Sequence, residues 1–229
     1  MARAKWARTL LWCGAVAGPL FLVVAFLLGA QRSGYDATRM PISLLAVGRD
    51  GWTQIANFVV CGVLVVAFAV GLHLALEGRG ARWGPMLFGL IGIGLIGAGP
   101  FATDPGLGYP PAGQAEPGPT FHGHLHDVFS AFVFAGFPAA AFVMASYFAA
   151  HGDHRWALRT RVCAWVLAAG SVLVLVAFNE EGALGDVGGV IQRCWVTIAF
   201  AWLAAVSVHV VHGVTTTLRL PGPIGTANT

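Results

Sequence analysis

Residues 54–76 read QIANFVVCGVLVVAFAVGLHLAL, twenty-three positions without one Asp, Glu, Lys or Arg. A stretch that long and that apolar matches the hydrocarbon core of a bilayer, which an α-helix crosses in about 20 residues. Lipid offers backbone amides no water to bond, so a single segment crosses only as a helix. The same reading extends in both directions along the chain. Apolar runs recur at about 10–30, 83–101, 124–150, 162–178 and 187–212, so that 54–76 is the second of six. The expectation is an all-α, polytopic membrane protein with six transmembrane helices, forming a single domain over residues 1–229.

Composition agrees. The chain is 57% hydrophobic and only 10% charged, against about 25% charged in soluble domains. The net charge of +3 is spread over short loops and not gathered into a patch, which argues against a nucleic-acid partner. Twelve of the 13 basic residues are Arg, and Ala, Gly and Val abound, a pattern that points to a bacterial source. Cys13, Cys61, Cys163 and Cys194 all fall in apolar runs without paired spacing, as free thiols acting as small hydrophobes do. Met1–Arg8 ahead of an apolar run imitates a signal peptide. The run is too long for one and Leu28-Gly29-Ala30 is a poor cleavage site, so it is read as a retained first helix.

Arg and Lys also set orientation. An N-in, C-in arrangement puts Arg3, Lys5, Arg8, Arg79, Arg82, Arg155, Arg159, Arg161 and Arg219 inside. Only Arg32, Arg39, Arg49 and Arg193 then lie outside. The expected location is the cell membrane, for a bacterium the inner one. Gly14 and Gly18 in the first span, and six glycines from Gly84 to Gly99 in the third, read as places of close helix packing within the bundle. The apolar stretch Met40–Val47, between Arg39 and Arg49, reads as a short amphipathic segment lying flat at the interface.

That topology collects the polar side chains at one end. Asp104, His122, His124, His126, Asp127, Glu180, Glu181, Gln192 and Arg193 all fall on the outer half, and ionisable groups at membrane depth are functional suspects. If 122–127 is helical, His122 and His126 share a face and form half of a divalent-metal site. The competing reading is two interfacial histidines bonded to backbone or water. His209 and His212 fall at the inner end and cannot join them across about 30 Å of hydrocarbon. A haem between His73 and His209 is disfavoured. Asp127 and Glu180 are candidate acid/base groups, because a poorly solvated carboxyl holds its proton. Arg193 needs a partner, with Asp127 and Asp104 as candidates, or else steadies an anionic group. Ser43 and Ser130 carry no nucleophile motif.

The runs Gly99-Pro100-Phe101-Ala102-Thr103-Asp104-Pro105, Thr120-Phe121-His122-Gly123-His124-Leu125-His126 and Gly189-Val190-Ile191-Gln192-Arg193, with Pro41-Ile42-Ser43 and Asn57-Phe58 before them, form a pattern. Taken together they resemble the DUF998 family of six-span membrane proteins, over nearly the whole chain. The resemblance implies the six-helix architecture and marks Asp104, Gly123, His126 and Arg193. It implies no activity, and His122 and His124 depart from its single-histidine pattern.

The expected function is binding or processing of a lipid or another amphipathic small molecule in an outward-facing polar pocket. Asp127, Glu180 and His126 are the candidate catalytic groups, Arg193, Gln192 and Asp104 the candidate binding groups, and His122 with His126 the candidate metal ligands. Two alternatives stay open: a membrane-embedded terpene cyclase started by a carboxylic acid, and a transporter or accessory membrane subunit.

Overall fold

The computed structural model describes residues 2–78, 80–111, 119–178 and 184–219. Six α-helices carry the fold: α1 Ala2–Gln31, α2 Trp52–Ala75, α3 Trp83–Ala98, α4 Phe121–Ala150, α5 His154–Ala177 and α6 Gly188–Arg219. Two short 3₁₀ turns, Ile42–Ala46 and Gly185–Val187, complete it, and no strand occurs among the described residues. Five segments are long and apolar enough to cross a membrane: Arg3–Gln31, Trp52–Ala75, Phe121–Ala150, His154–Ala177 and Gly185–Val214. Several helices outrun the apolar stretches that announce them. α5 begins at His154 and carries Arg155, Arg159 and Arg161 in its first turns. Hydropathy detects the greasy centre of such a helix, and charged residues at its end extend it without breaking it.

Each helix packs on the next, and α6 returns to α1, so the six close a ring. Small residues allow this. A β-carbon on Gly14 would stand 2.5 Å from the Phe68 ring of α2, and one on Gly18 would stand 2.7 Å from Phe200 of α6. The first-span glycines therefore serve packing within the chain. Gly62 and Gly92 face each other across α2 and α3, each within 2.8 Å of the other's carbonyl once a β-carbon is added. The ring's interior is filled by aromatics. Phe21 stacks on Phe200 at 5.2 Å and meets Phe58 at 5.5 Å, while Phe88 lies edge-on to Phe68 at 4.9 Å and stacked on Trp202 at 5.6 Å. Such pairs contribute beyond their buried area.

α3 is the exception in length. Its 16 residues rise about 24 Å, short of the about 30 Å of a hydrocarbon core. It ends at Ala98, against α4, where its last carbonyls are enclosed by protein.

The segment between α1 and α2 departs from expectation. It does not lie flat. Ile42, Leu44, Leu45 and Ala46 are all buried, so the 3₁₀ turn tucks into the ring's open end as a plug. An apolar octapeptide gains as much from a protein interior as from an interface, and the partners that choose between them lie far away in sequence.

Candidate functional site

A helix that ends inside protein must find donors for its last carbonyls. For α3 the donor is His126, only 4% exposed. Its Nδ1 lies 3.1 Å from the Ala98 carbonyl and 2.8 Å from that of Phe101. Both carbonyls only accept, so Nδ1 carries the proton. His126 is thus the capping group of α3, supplied from the second turn of α4.

The start of α4 is built with equal care. Thr120 is its N-cap, accepting from the Gly123 amide at 3.1 Å. Asp104 braces that cap, with Oδ2 accepting from the Thr120 amide at 2.9 Å and Oδ1 from the Thr120 hydroxyl. A carboxylate beside a helix N-terminus is favoured by the dipole. Gly123 makes room for it, since a β-carbon there would fall 2.0 Å from Oδ2. Asp104 therefore holds the loop to α4 and does not pair with Arg193.

Arg193, 9% exposed, is held by backbone and a phenol. Its Nη1 donates to the carbonyls of Met40 at 3.0 Å and Gly189 at 2.9 Å, and Nη2 donates to the Tyr35 hydroxyl. The guanidinium also lies 5.6 Å over the Tyr35 ring. Tyr35 in turn donates toward the Met40 and Pro41 carbonyls at 3.2 and 3.0 Å. Burial pushes the Tyr35 phenol above its ordinary value, and Arg193 opposes that shift. One turn away on α6, the Val190 amide donates to Thr38 at 3.0 Å, and Gln192 Oε1 accepts from the Ile42 amide at 2.8 Å. Residues 35–42 therefore form a strap across one end of the ring, fastened to the start of α6. Gly189 admits the strap, as a β-carbon there would approach the Ala37 carbonyl to 2.5 Å.

Beneath the strap is a chamber of about 50 Å³. Its polar lining is His126 and Ser130 from α4, Gln192 from α6, and Ser43 from the 3₁₀ plug; aromatics including Phe58, Phe134 and Trp195 make up much of the rest. A cavity needs roughly 10–15 Å³ to hold a water, so this one has room for a group of a few heavy atoms. The two serines had no motif to recommend them. The signal that finds Ser130 is its spacing of four from His126, which puts both on one helix face.

The remaining candidates lie elsewhere. Asp127 is exposed, one residue past His126 and so turned to the outside of α4. It makes no ion pair among the described residues, and Arg193 is bound without it. His122 is exposed, edge-on to Phe101 at 5.7 Å, and His124 is exposed too. Glu180 and Glu181 lie outside the described residues. Among the described residues no three His, Cys, Asp or Glu side chains gather as a metal site would require. His126 has already committed one ring nitrogen to α3. His73 is exposed on α2, and His209 meets Asp153 at 2.9 Å and stacks on Trp156 at 4.1 Å.

A helical ring with five membrane-length apolar helices among the described residues, closed at one end by a strap over a small, largely apolar chamber, defines the class as a polytopic membrane protein. Residues 15–209 match the family model described as "Protein of unknown function (DUF998)". The chain belongs to the DUF998 family. No curated protein and no solved structure matches it.

Proposed function

We propose that this chain is a six-span protein of the cell membrane, in a bacterium the inner one. Both termini lie inside, and an outward chamber holds the polar end of a lipid or another amphipathic small molecule. One observation carries the reading: four polar residues from three separate elements line one small chamber whose other walls are apolar and aromatic. Ligand sites have that composition, a few placed polar groups in an apolar surround. In this reading His126 and Gln192 contact the ligand. Asp104 fixes the loop that presents α4, and Arg193 fixes the strap that roofs the chamber. The short α3 counts as a span, because the ring gives it the same neighbours on either side as every other helix.

Two experiments test this. The full chain is reconstituted in lipid nanodiscs with a fatty-chain probe carrying a photoreactive diazirine near its polar end. The labelled peptides are expected to include Ser43, Ser130 or Trp195, and Ser130→Leu or Ser43→Leu, each filling the chamber, should remove the label while the melting curve survives. Labelling confined to lipid-facing residues would overturn the reading. For topology, a reporter fused after Thr229 is expected to be active in the cytoplasm and one inserted near Gly113 outside; the reverse pattern would overturn the orientation.

A further inference from the structure

We infer that the chamber selects an uncharged, hydroxyl-bearing head group over an anionic or cationic one. This rests on reading the chamber as a ligand site and adds what the site reads. The argument concerns which end of each polar side chain is already spent. Gln192 accepts from a backbone amide, Ile42 N–H. A backbone N–H only donates, so the atom it meets is Oε1 and the end left over is the Nε2 amide, a donor. His126 faces two carbonyls through Nδ1. Carbonyls only accept, so Nδ1 carries a proton, and in the neutral form of the ring Nε2 is the acceptor. With the imidazole neutral, two helices thus present opposite polarities to one small space.

A hydroxyl satisfies both, donating to His126 and accepting from Gln192. A carboxylate or phosphate can only accept, and meets the imidazole lone pair unpaired. An ammonium can only donate, and leaves the Gln192 amide without an acceptor. The serines do not alter this, because a hydroxyl rotates to donate or accept as needed. No charged side chain lines the chamber to offset a charged head group, and burying a charge without a partner is strongly disfavoured. Arg193, which might have welcomed an anion, is not part of the lining and spends both Nη1 hydrogens on the strap and α6. The chamber's about 50 Å³ encloses only the head group, so the tail lies beyond it.

The test compares three photoreactive probes of identical chain, a fatty alcohol, a fatty acid and a fatty amine. Each carries its diazirine near the head and is presented to the full chain in phosphatidylcholine nanodiscs. Chamber peptides are expected to label with the alcohol at least about tenfold more than with either charged probe, a conservative margin for a site whose polar groups a mismatched ligand leaves unpaired. Gln192→Glu keeps an oxygen for Ile42 N–H and replaces the donor with an acceptor, so the alcohol's advantage over the amine should disappear. Chamber labelling equal for all three probes, or an alcohol preference unchanged in Gln192→Glu, overturns this inference and leaves the binding site standing. Absence of chamber labelling by every probe overturns both.

Discussion

Arg193→Met should release the strap while leaving the ring intact. Met is close to Arg in volume and removes every donor that α6 offers to Met40 and to the Tyr35 hydroxyl. Hydrogen bonds from a charged donor contribute about 1.5–3 kcal/mol each. Of the three acceptors, the Met40 carbonyl is not left wholly bare, because the Tyr35 hydroxyl still reaches it. The substitution also removes a buried charge, which offsets part of the loss. The net expectation is a destabilisation of about 3 kcal/mol. Its distinguishing mark is location: amide exchange should accelerate over residues 35–47 and remain slow in the middle of α2 and α6. Arg193→Lys keeps the charge and loses the fork, so it should recover less than half of the difference. If Arg193→Met exchanges like the wild type over 35–47, the guanidinium does not hold the strap.

The second large effect belongs to His126→Leu. Leu fills the volume and leaves the carbonyls of Ala98 and Phe101 without their donor. In water-soluble proteins an orphaned buried acceptor costs about 1–3 kcal/mol, whereas hydrogen bonds between membrane helices average about 0.6 kcal/mol. Two acceptors, a buried one at the end of α3 and a part-buried one just beyond it, place the expectation at about 2 kcal/mol. His126→Gln decides what the residue does. Its amide can donate to the same carbonyls, so it should restore most of the melting temperature, whereas a purely apolar requirement would make Gln the worse substitute. Loss of chamber labelling in His126→Gln despite restored stability would separate the residue's contact with ligand from its hold on α3.

The helices were legible because membrane solvation leaves few options. Residues 54–76 contain nothing that could be exposed to water in bulk or folded as an open strand, and the structure returns a helix over Trp52–Ala75. The close glycine contacts of α1 and α3 were legible for a similar reason. The site was legible only in part. His126, Asp104, Gln192 and Arg193 stood out as polar groups in costly places. What each one bonds depends on partners far along the chain, up to 158 residues away for Arg193 and Tyr35. Spacing says nothing about such partners. Asp127 looked as promising as His126, because a sequence does not tell which of two adjacent residues faces inward. The strap was misplaced for the same cause: Met40–Val47 is equally apolar at an interface and in a bundle. Val190, Gln192 and Arg193, at the far end of the chain, settle which.

The closure of the ring by its first and last helices carries a consequence for how the molecule is made. Phe21 stacks on Phe200, and Ser207 bonds the Leu11 carbonyl, so α1 finishes packing only when α6 has been synthesised. The strap waits too, since its fastenings at Val190, Gln192 and Arg193 all come from α6. Until α6 is made, the bundle has one flank open and residues 35–47 undocked. The chamber is therefore among the last things to form, and a chain stalled before residue 188 holds most of the hydrophobic bundle and none of the fastenings that dock the strap over the chamber.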